Sequence, residues 1–249
     1  MVEHEIAMRW GDIDSYEHVN NVRFLDYAAE GRERLMRDGA LAEDSRVAAV
    51  TIDYLVPVLL STRPVVVTNE LDGDVLRQEI CVDTEGGRVV NARVVSRFGS
   101  IPSAAPASQV SDAVQVPVAI RLHDIGPGGV VTPERTADVV QELRIAQRTA
   151  ADPDRVWGKS VVASVAIDFH GPIRHGVPDL SARCWTSRVG ISSYTAEAEI
   201  SDGRGVLVRA SSVMVGWDPL TGSSRPMTEQ ERAVLVSAPA PAGGSAPRR

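Results

Sequence analysis

The chain has 249 residues, 43% hydrophobic and 24% charged, the profile of a globular protein long enough for one large domain or two of about 120 residues each. A net charge of −7 with no basic tract excludes bulk nucleic-acid binding. The longest apolar runs, such as Val161-Val162-Ala163, are far too short to span a bilayer, and the opening Glu3-His4-Glu5 does not read as a signal peptide.

Residues 3–10 alternate as a strand, and Asp12 to His18 is a polar turn. From Asn20 to Met36 the period becomes helical: Phe24, Ala28, Gly31 and Leu35 fall on one face, with the small Ala28 and Gly31 allowing close approach to a sheet. Strands are predicted near 47–56, 63–71, 75–84 and 88–98, with turns at Gly73 and at Gly86-Gly87, as in antiparallel hairpins. Ser100 to Val110 is a Pro/Ala/Ser linker. The order then repeats: a strand near 115–122, a turn, a helix capped by Thr132 with Pro133 in its first position, and strands near 160–169, 178–187, 193–201 and 204–217. The tail from Ser237 to Arg249, rich in Ala, Pro and Gly, is expected to be disordered.

Individual residues repeat too. Arg9-Trp10-Gly11-Asp12-Ile13-Asp14 returns as Arg121-Leu122-His123-Asp124-Ile125-Gly126, a shift of 112 residues from Asp12 to Asp124. Under the same shift Arg23, Asp26, Glu30 and Arg32 meet Arg135, Asp138, Glu142 and Arg144. Ile52-Asp53-Tyr54 with Pro57 returns as Ile167-Asp168-Phe169 with Pro172, now shifted by 115 from Asp53 to Asp168. Ordered matches at a half-chain shift point to duplication. The expected division is 1–99 for the first unit, 100–113 for the linker, 114–236 for the second unit and 237–249 for the tail. Each copy reads as one helix on one antiparallel sheet, a two-layer α+β unit whose open face needs a partner.

Asp12-Ile13-Asp14, His18-Val19-Asn20-Asn21, Tyr27 and Glu30 resemble the opening of the 4-hydroxybenzoyl-CoA thioesterase-like branch of the hotdog superfamily. The resemblance implies a tandem double hotdog, each unit a long helix wrapped by a curved antiparallel sheet, paired as an intramolecular pseudo-dimer that is either monomeric or assembles further. It also implies an acyl-CoA thioesterase of lipid metabolism that needs no cofactor, with the catalytic carboxylate on Asp14. A carboxylate hydrolyses a thioester by activating water or by attacking it directly. N–H groups at the helix start, near Val19 to Asn21, are natural oxyanion donors, because they are unpaired and lie at the positive end of the helix dipole. Asn20 or Asn21 would orient water or the carbonyl, and His18 either touches substrate or braces the turn.

The second copy lacks this machinery: Asp14 becomes Gly126, His18 becomes Val130, Asn20 becomes Thr132, and Asn21 becomes Pro133, which has no N–H. Later the balance inverts. The second copy keeps family-like Pro172-Ile173-Arg174-His175-Gly176 and Arg188-Val189-Gly190-Ile191-Ser192-Ser193, where the first has Pro57-Val58-Leu59-Leu60-Ser61 and Asn69-Glu70-Leu71-Asp72-Gly73. One composite site is therefore expected, with Asp14 and the Asn20/Asn21 helix start faced by residues 172–176 and 188–193. Arg174, His175 and Arg188 are candidates for CoA phosphates, Arg being suited to phosphate oxygens. Gly176, Ser192 and Ser193 complete the expected substrate contacts.

Asp168, His170 and His175 lack a second ligand cluster, so no metal is expected. Cys81 and Cys184 form no disulfide framework and read as buried thiols of a cytoplasmic protein. Acyl-carrier protein is the alternative carrier to CoA. The alternative functions are a non-catalytic acyl-CoA-binding hotdog and a hotdog enoyl-thioester hydratase or dehydratase. No nucleic-acid or membrane partner is expected.

Overall fold

The computed structural model describes residues 2–101, 104–111, 113–152, 158–177 and 179–236. The proposed tail, 237–249, lies outside them. The first half runs β1 (Val2–Ile6), α1 (Arg23–Arg37), β2 (Val47–Tyr54), β3 (Val65–Asp72), β4 (Val75–Thr84) and β5 (Gly87–Phe98). The second runs β6 (Val114–Val116), α2 (Pro133–Ala151), β7 (Ser160–Phe169), β8 (Ser181–Val189), β9 (Ser193–Asp202) and β10 (Gly205–Asp218), followed by a short β11 (Ser223–Ser224) and α3 (Glu229–Val236). None of the described helices is long and apolar enough to cross a membrane.

The strands join into one antiparallel sheet in the order β1-β3-β4-β5-β2-β7-β10-β9-β8-β6, with β11 attached to β10. From the centre outward, each half places its strands in the same sequence of roles. At the joint Thr51 lies opposite Ala166, its own counterpart under the 115-residue shift, with Val50 opposite Ile167 and Ile52 opposite Val165. The central pairing is thus symmetric about that position. Ile52, Val65, Val67, Leu76, Ile80 and Val94 in one half, and Ile167 and Ile200 in the other, are almost fully buried in a single core.

α1 buries the face read from its sequence, including Phe24, Ala28, Gly31 and Leu35. A Cβ on Gly31 would lie 2.8 Å from Asn69 Oδ1, 2.8 Å from Gln78 Nε2 and 2.9 Å from Val67 Cγ1, so only glycine lets the helix sit this close. Beneath it Gln78 Nε2 donates to Ala28 O and to Asn69 Oδ1, both at 2.8 Å.

Some elements depart from the periodicity. β1 ends at Ile6, and a tight turn at Trp10–Asp12 follows, closed by the Arg9 N–H on Asp12 Oδ2 at 2.8 Å. β6 is cut to three residues in the same way, ahead of the turn at Leu122–Asp124. The linker is laid along the sheet: Ala105 pairs with Val206, and the Ser108 N–H and hydroxyl donate to Glu199, which is 1% exposed. Burial opposes the Glu199 charge, but Ser108, Arg183 and Arg209 outweigh it and hold the pKa below the ordinary value. Cys81 and Cys184 are free and buried, and burial pushes the Cys184 thiol up to about 12.

α3 has no counterpart in the predicted elements, although Thr228-x-x-Glu231 carries the signature of a helix start. The Glu231 N–H donates to Thr228 Oγ1 at 3.1 Å and the Thr228 N–H to Glu231 Oε2 at 2.7 Å, a reciprocal cap.

Candidate active site

Asp14 stands on the loop that feeds α1. Its N–H donates to His18 O at 2.8 Å, and its Oδ1 accepts the N–H of Tyr16 at 2.8 Å and of His18 at 3.4 Å. The half-buried carboxylate is oriented by these bonds, and Oδ2 takes no hydrogen bond among the described residues. His18 enters this network through its backbone, and a bridge to Leu59 ties the loop to the segment after β2.

Two of the three N–H groups expected as oxyanion donors are already used. Val19 N–H donates to Val58 O at 2.8 Å and Asn20 N–H to Asp12 O at 2.7 Å, which corrects the expectation for both. Asn20 Oδ1 accepts the Val22 N–H at 3.3 Å, so its side chain braces the turn that leads into α1. Asn21 N–H is the one of the three left without a partner among the described residues, and Asn21 O accepts the Tyr54 hydroxyl at 2.9 Å. Burial pushes the Tyr54 phenol up.

The second loop keeps the same backbone without the acid. Gly126 N–H donates to Val130 O at 2.8 Å, Thr132 N–H to Asp124 O at 3.3 Å, and Thr132 Oγ1 accepts the Arg135 N–H at 3.3 Å. A Cβ at Gly126 would sit 2.5 Å from Thr132 Cγ2. The loss of Asp14's counterpart and the exchange of Asn20 for Thr132 therefore fit together sterically.

The structure separates the two segments expected to face Asp14. Arg174 bridges to Val130, and the Val131 N–H donates to Ile173 O at 2.9 Å, so 172–176 docks on its own copy's loop. The first copy's 57–61 holds the corresponding place beside Asp14, through Val58 and Leu59. His175 and Gly176 lie exposed on the segment with Arg174, and Gly176 supplies the positive φ of its turn.

The 188–193 turn lies elsewhere, closed by the Gly190 N–H on Ser193 O at 2.7 Å, with Ser192 O accepting the Gly216 N–H at 2.8 Å and Arg188 exposed. It shares this edge with Lys159, whose carbonyl accepts the Trp217 N–H and whose Nζ lies 5.0 Å from the centre of the Tyr16 ring. The second half thus reaches the Asp14 loop through Lys159, a residue the motif reading missed. Its signal was available: it is the single lysine among 26 basic residues.

A cavity of about 1520 Å³ opens between α1 and the second loop, with Arg9 and Asp12 of the first loop also on its walls. Tyr27, Arg32, Met36, Pro133, Phe169 and Arg174 are among its walls, and Asp14 is not. Burial and the Asp12 carboxylate, which accepts the Tyr27 hydroxyl at 2.9 Å, push the Tyr27 phenol up. At the Lys159 end, by contrast, Met227, Glu231 and Leu235 pack close to Tyr194 and leave only about 10 Å³.

The helix starts are clamped together by a four-membered ring. Arg23 pairs with Asp26 at 2.5 Å and with Asp138 at 2.7 Å, while Arg135 pairs with Asp138 and Asp26. These residues are counterparts under the 112-residue shift, so the ring carries the same two-fold relation as the central strands. Burial raises the Asp138 pKa despite Arg135 and Arg23. Arg32 pairs with Glu134 beyond the ring. Among the described residues no three His, Cys, Asp or Glu side chains gather as a metal site.

Residues 8–100 match the family model of the thioesterase-like superfamily, which bears out the resemblance carried by the Asp14 motif. No match was found among the curated proteins. Among solved structures, the fold is similar to a putative oleoyl thioesterase from Lactobacillus plantarum, at 11% identity and TM-score 0.65, over 86% of this chain and 95% of that one. It is likewise similar to the 12:0-ACP thioesterase from Umbellularia californica, at 13% identity and TM-score 0.63, over 91% and 97%. An acyl-ACP thioesterase from Bacteroides thetaiotaomicron aligns at 12% identity and TM-score 0.58, over 86% and 97%.

Proposed function

We propose that the protein hydrolyses acyl thioesters to the free acid and thiol, at one site built on Asp14. The observation that carries this is the Asp14 carboxylate: two backbone N–H groups hold Oδ1, Oδ2 is left open, and the unpaired Asn21 N–H stands at the start of α1. Asp14 acts as general base or nucleophile, and the Asn21 N–H receives the developing oxyanion. The family match over 8–100 supports the reaction class.

The chain is read as two fused hotdog units, 1–99 and 114–236, joined by 100–113. The repeated strand order and the symmetric joint support this. On this reading the site is composite through the Lys159 edge, and Lys159 and Arg188 meet the phosphates of CoA or of a carrier protein's pantetheine; the 5.0 Å approach of Lys159 to the Tyr16 ring and the exposure of Arg188 support it. The second loop has no counterpart of Asp14, and the large cavity beside it favours a second reading for that half: it binds acyl-CoA without turning it over.

The test is thiol release from short, medium, long and aromatic acyl-CoAs and acyl-carrier proteins, comparing wild type with Asp14→Asn. A fall of about a hundredfold or more with binding retained is expected for a lost base. Binding without release from any thioester would overturn the hydrolase reading in favour of the binding protein, and water addition to an enoyl thioester would make it a hydratase.

A further inference from the structure

The ring and the central strands obey one two-fold relation, so the residues just beyond the ring can be compared side for side. On one side Arg32 of α1 is paired with Glu134, in the first turn of α2. On the other, Arg144 of α2 is the counterpart of Arg32, and the counterpart of Glu134 is Val22, buried at the start of α1. Arg144 keeps the cation and has lost the anion. Its guanidinium donates from Nη1 to Ser212 Oγ at 3.3 Å and forms no ion pair among the described residues.

Its surroundings have changed in the same direction. Phe169, a wall of the Arg32 cavity, is replaced here by Tyr54, whose hydroxyl reaches Asn21 O at the helix start that follows Asp14. Burial lowers the Arg144 pKa, and the Tyr54 and Tyr194 phenols are the ionisable groups acting on it from the facing strands. A cation withdrawn from water without an anion is costly, and a neutral residue at 144 would remove that cost. A carboxylate is the group the chain itself sets against the equivalent arginine.

We propose that Arg144 seats a carboxylate borne by the far end of the substrate's acyl group, so that the Asp14 site takes acyl thioesters ending in an acid. This rests on the Asp14 reading of the function. The phosphates of a carrier are bulkier and belong to the exposed Lys159 and Arg188 edge, not to a guanidinium set between α2 and β10.

The probes are N-acetylcysteamine thioesters, which carry no phosphate: glutaryl against pentanoyl and adipyl against hexanoyl. Thiol release by wild type should favour the acidic member of a pair by about tenfold or more in kcat/KM, the scale of a charge-assisted hydrogen bond. Arg144→Gln should remove that ratio and Arg144→Lys should keep most of it. Val22→Glu, which restores the sister side's carboxylate, should also remove it with Arg144 intact. An equal rate for acidic and neutral members in wild type, or an unchanged ratio in Arg144→Gln, overturns the proposal. Calorimetric binding of the same pairs to Asp14→Asn separates the two readings. A binding preference without any wild-type thiol release would sink hydrolysis and leave the anion seat standing, whereas release without preference would do the reverse.

Discussion

Replacing Gly31 by alanine tests the closest approach in the fold. The added Cβ would meet Asn69 Oδ1 and Gln78 Nε2 at 2.8 Å and Val67 Cγ1 at 2.9 Å, well inside contact distance. Asn69 is 3% and Gln78 2% exposed, so neither side chain can swing into water. Seating the methyl group must lengthen the 2.8 Å bond from Gln78 to Ala28 O or the one to Asn69 Oδ1, or lift α1 off β3 and β4. Overpacking of this kind costs about 1–3 kcal/mol, and a buried polar group left unpaired about 1–3 kcal/mol more. Alanine's helix propensity returns about 1 kcal/mol. The expected net loss is about 1–5 kcal/mol, or roughly 2–20 °C in Tm for a chain of this size.

Urea unfolding followed by circular dichroism, with calorimetry in parallel, measures it. Gly11→Ala is the control, because a Cβ there meets nothing within 4 Å. A Gly31→Ala protein within about 0.5 kcal/mol of wild type, the range of neutral surface changes, would refute the argument that this glycine sets the distance between helix and sheet.

Gly126→Ala should destabilise by about 1–3 kcal/mol, because its Cβ would fall 2.5 Å from Thr132 Cγ2; adding Thr132→Ser, which removes the methyl and keeps the capping hydroxyl, should restore most of the loss in the same unfolding assay. The docking of α3 should be acid-sensitive: Arg225 first, then the Thr228 and Gly158 N–H groups, hold Glu231 down at about 2, against the usual 4.5. Because the folded pKa is the lower one, this contribution is complete above about pH 4.5 and is lost as pH falls toward 2, at most about 3 kcal/mol. Hydrogen exchange of Glu229–Val236 should rise across that window in wild type and be raised already at pH 7 in Glu231→Gln.

The local elements were legible because their causes are local. The face of α1 follows from residues three and four apart, the Thr132 cap from three residues, and the lengths of β4 and β5 from alternation between glycine turns. The repeat, too, is a property of the chain read against itself. α3 was missed although Thr228 and Glu231 carried its cap, because an eight-residue helix offers little periodicity to read.

At the site the division is sharper. The sequence by itself determined that one loop keeps an acid and its copy does not, since Asp14 and Gly126 occupy matching positions. It determined nothing about which segments meet across the halves. Peptide 172–176 docks on Val130 and Val131, Lys159 reaches Tyr16, Arg23 finds Asp138, and the Val19 and Asn20 N–H groups are taken by Val58 O and Asp12 O. Most of these partners are tens of residues apart or more, and their meeting depends on the register of β2 against β7 and the placement of α1 against α2. Residue pattern specifies each element from its neighbours, but a contact between elements exists only after the whole sheet has closed around them, and that was decided by the tertiary structure alone.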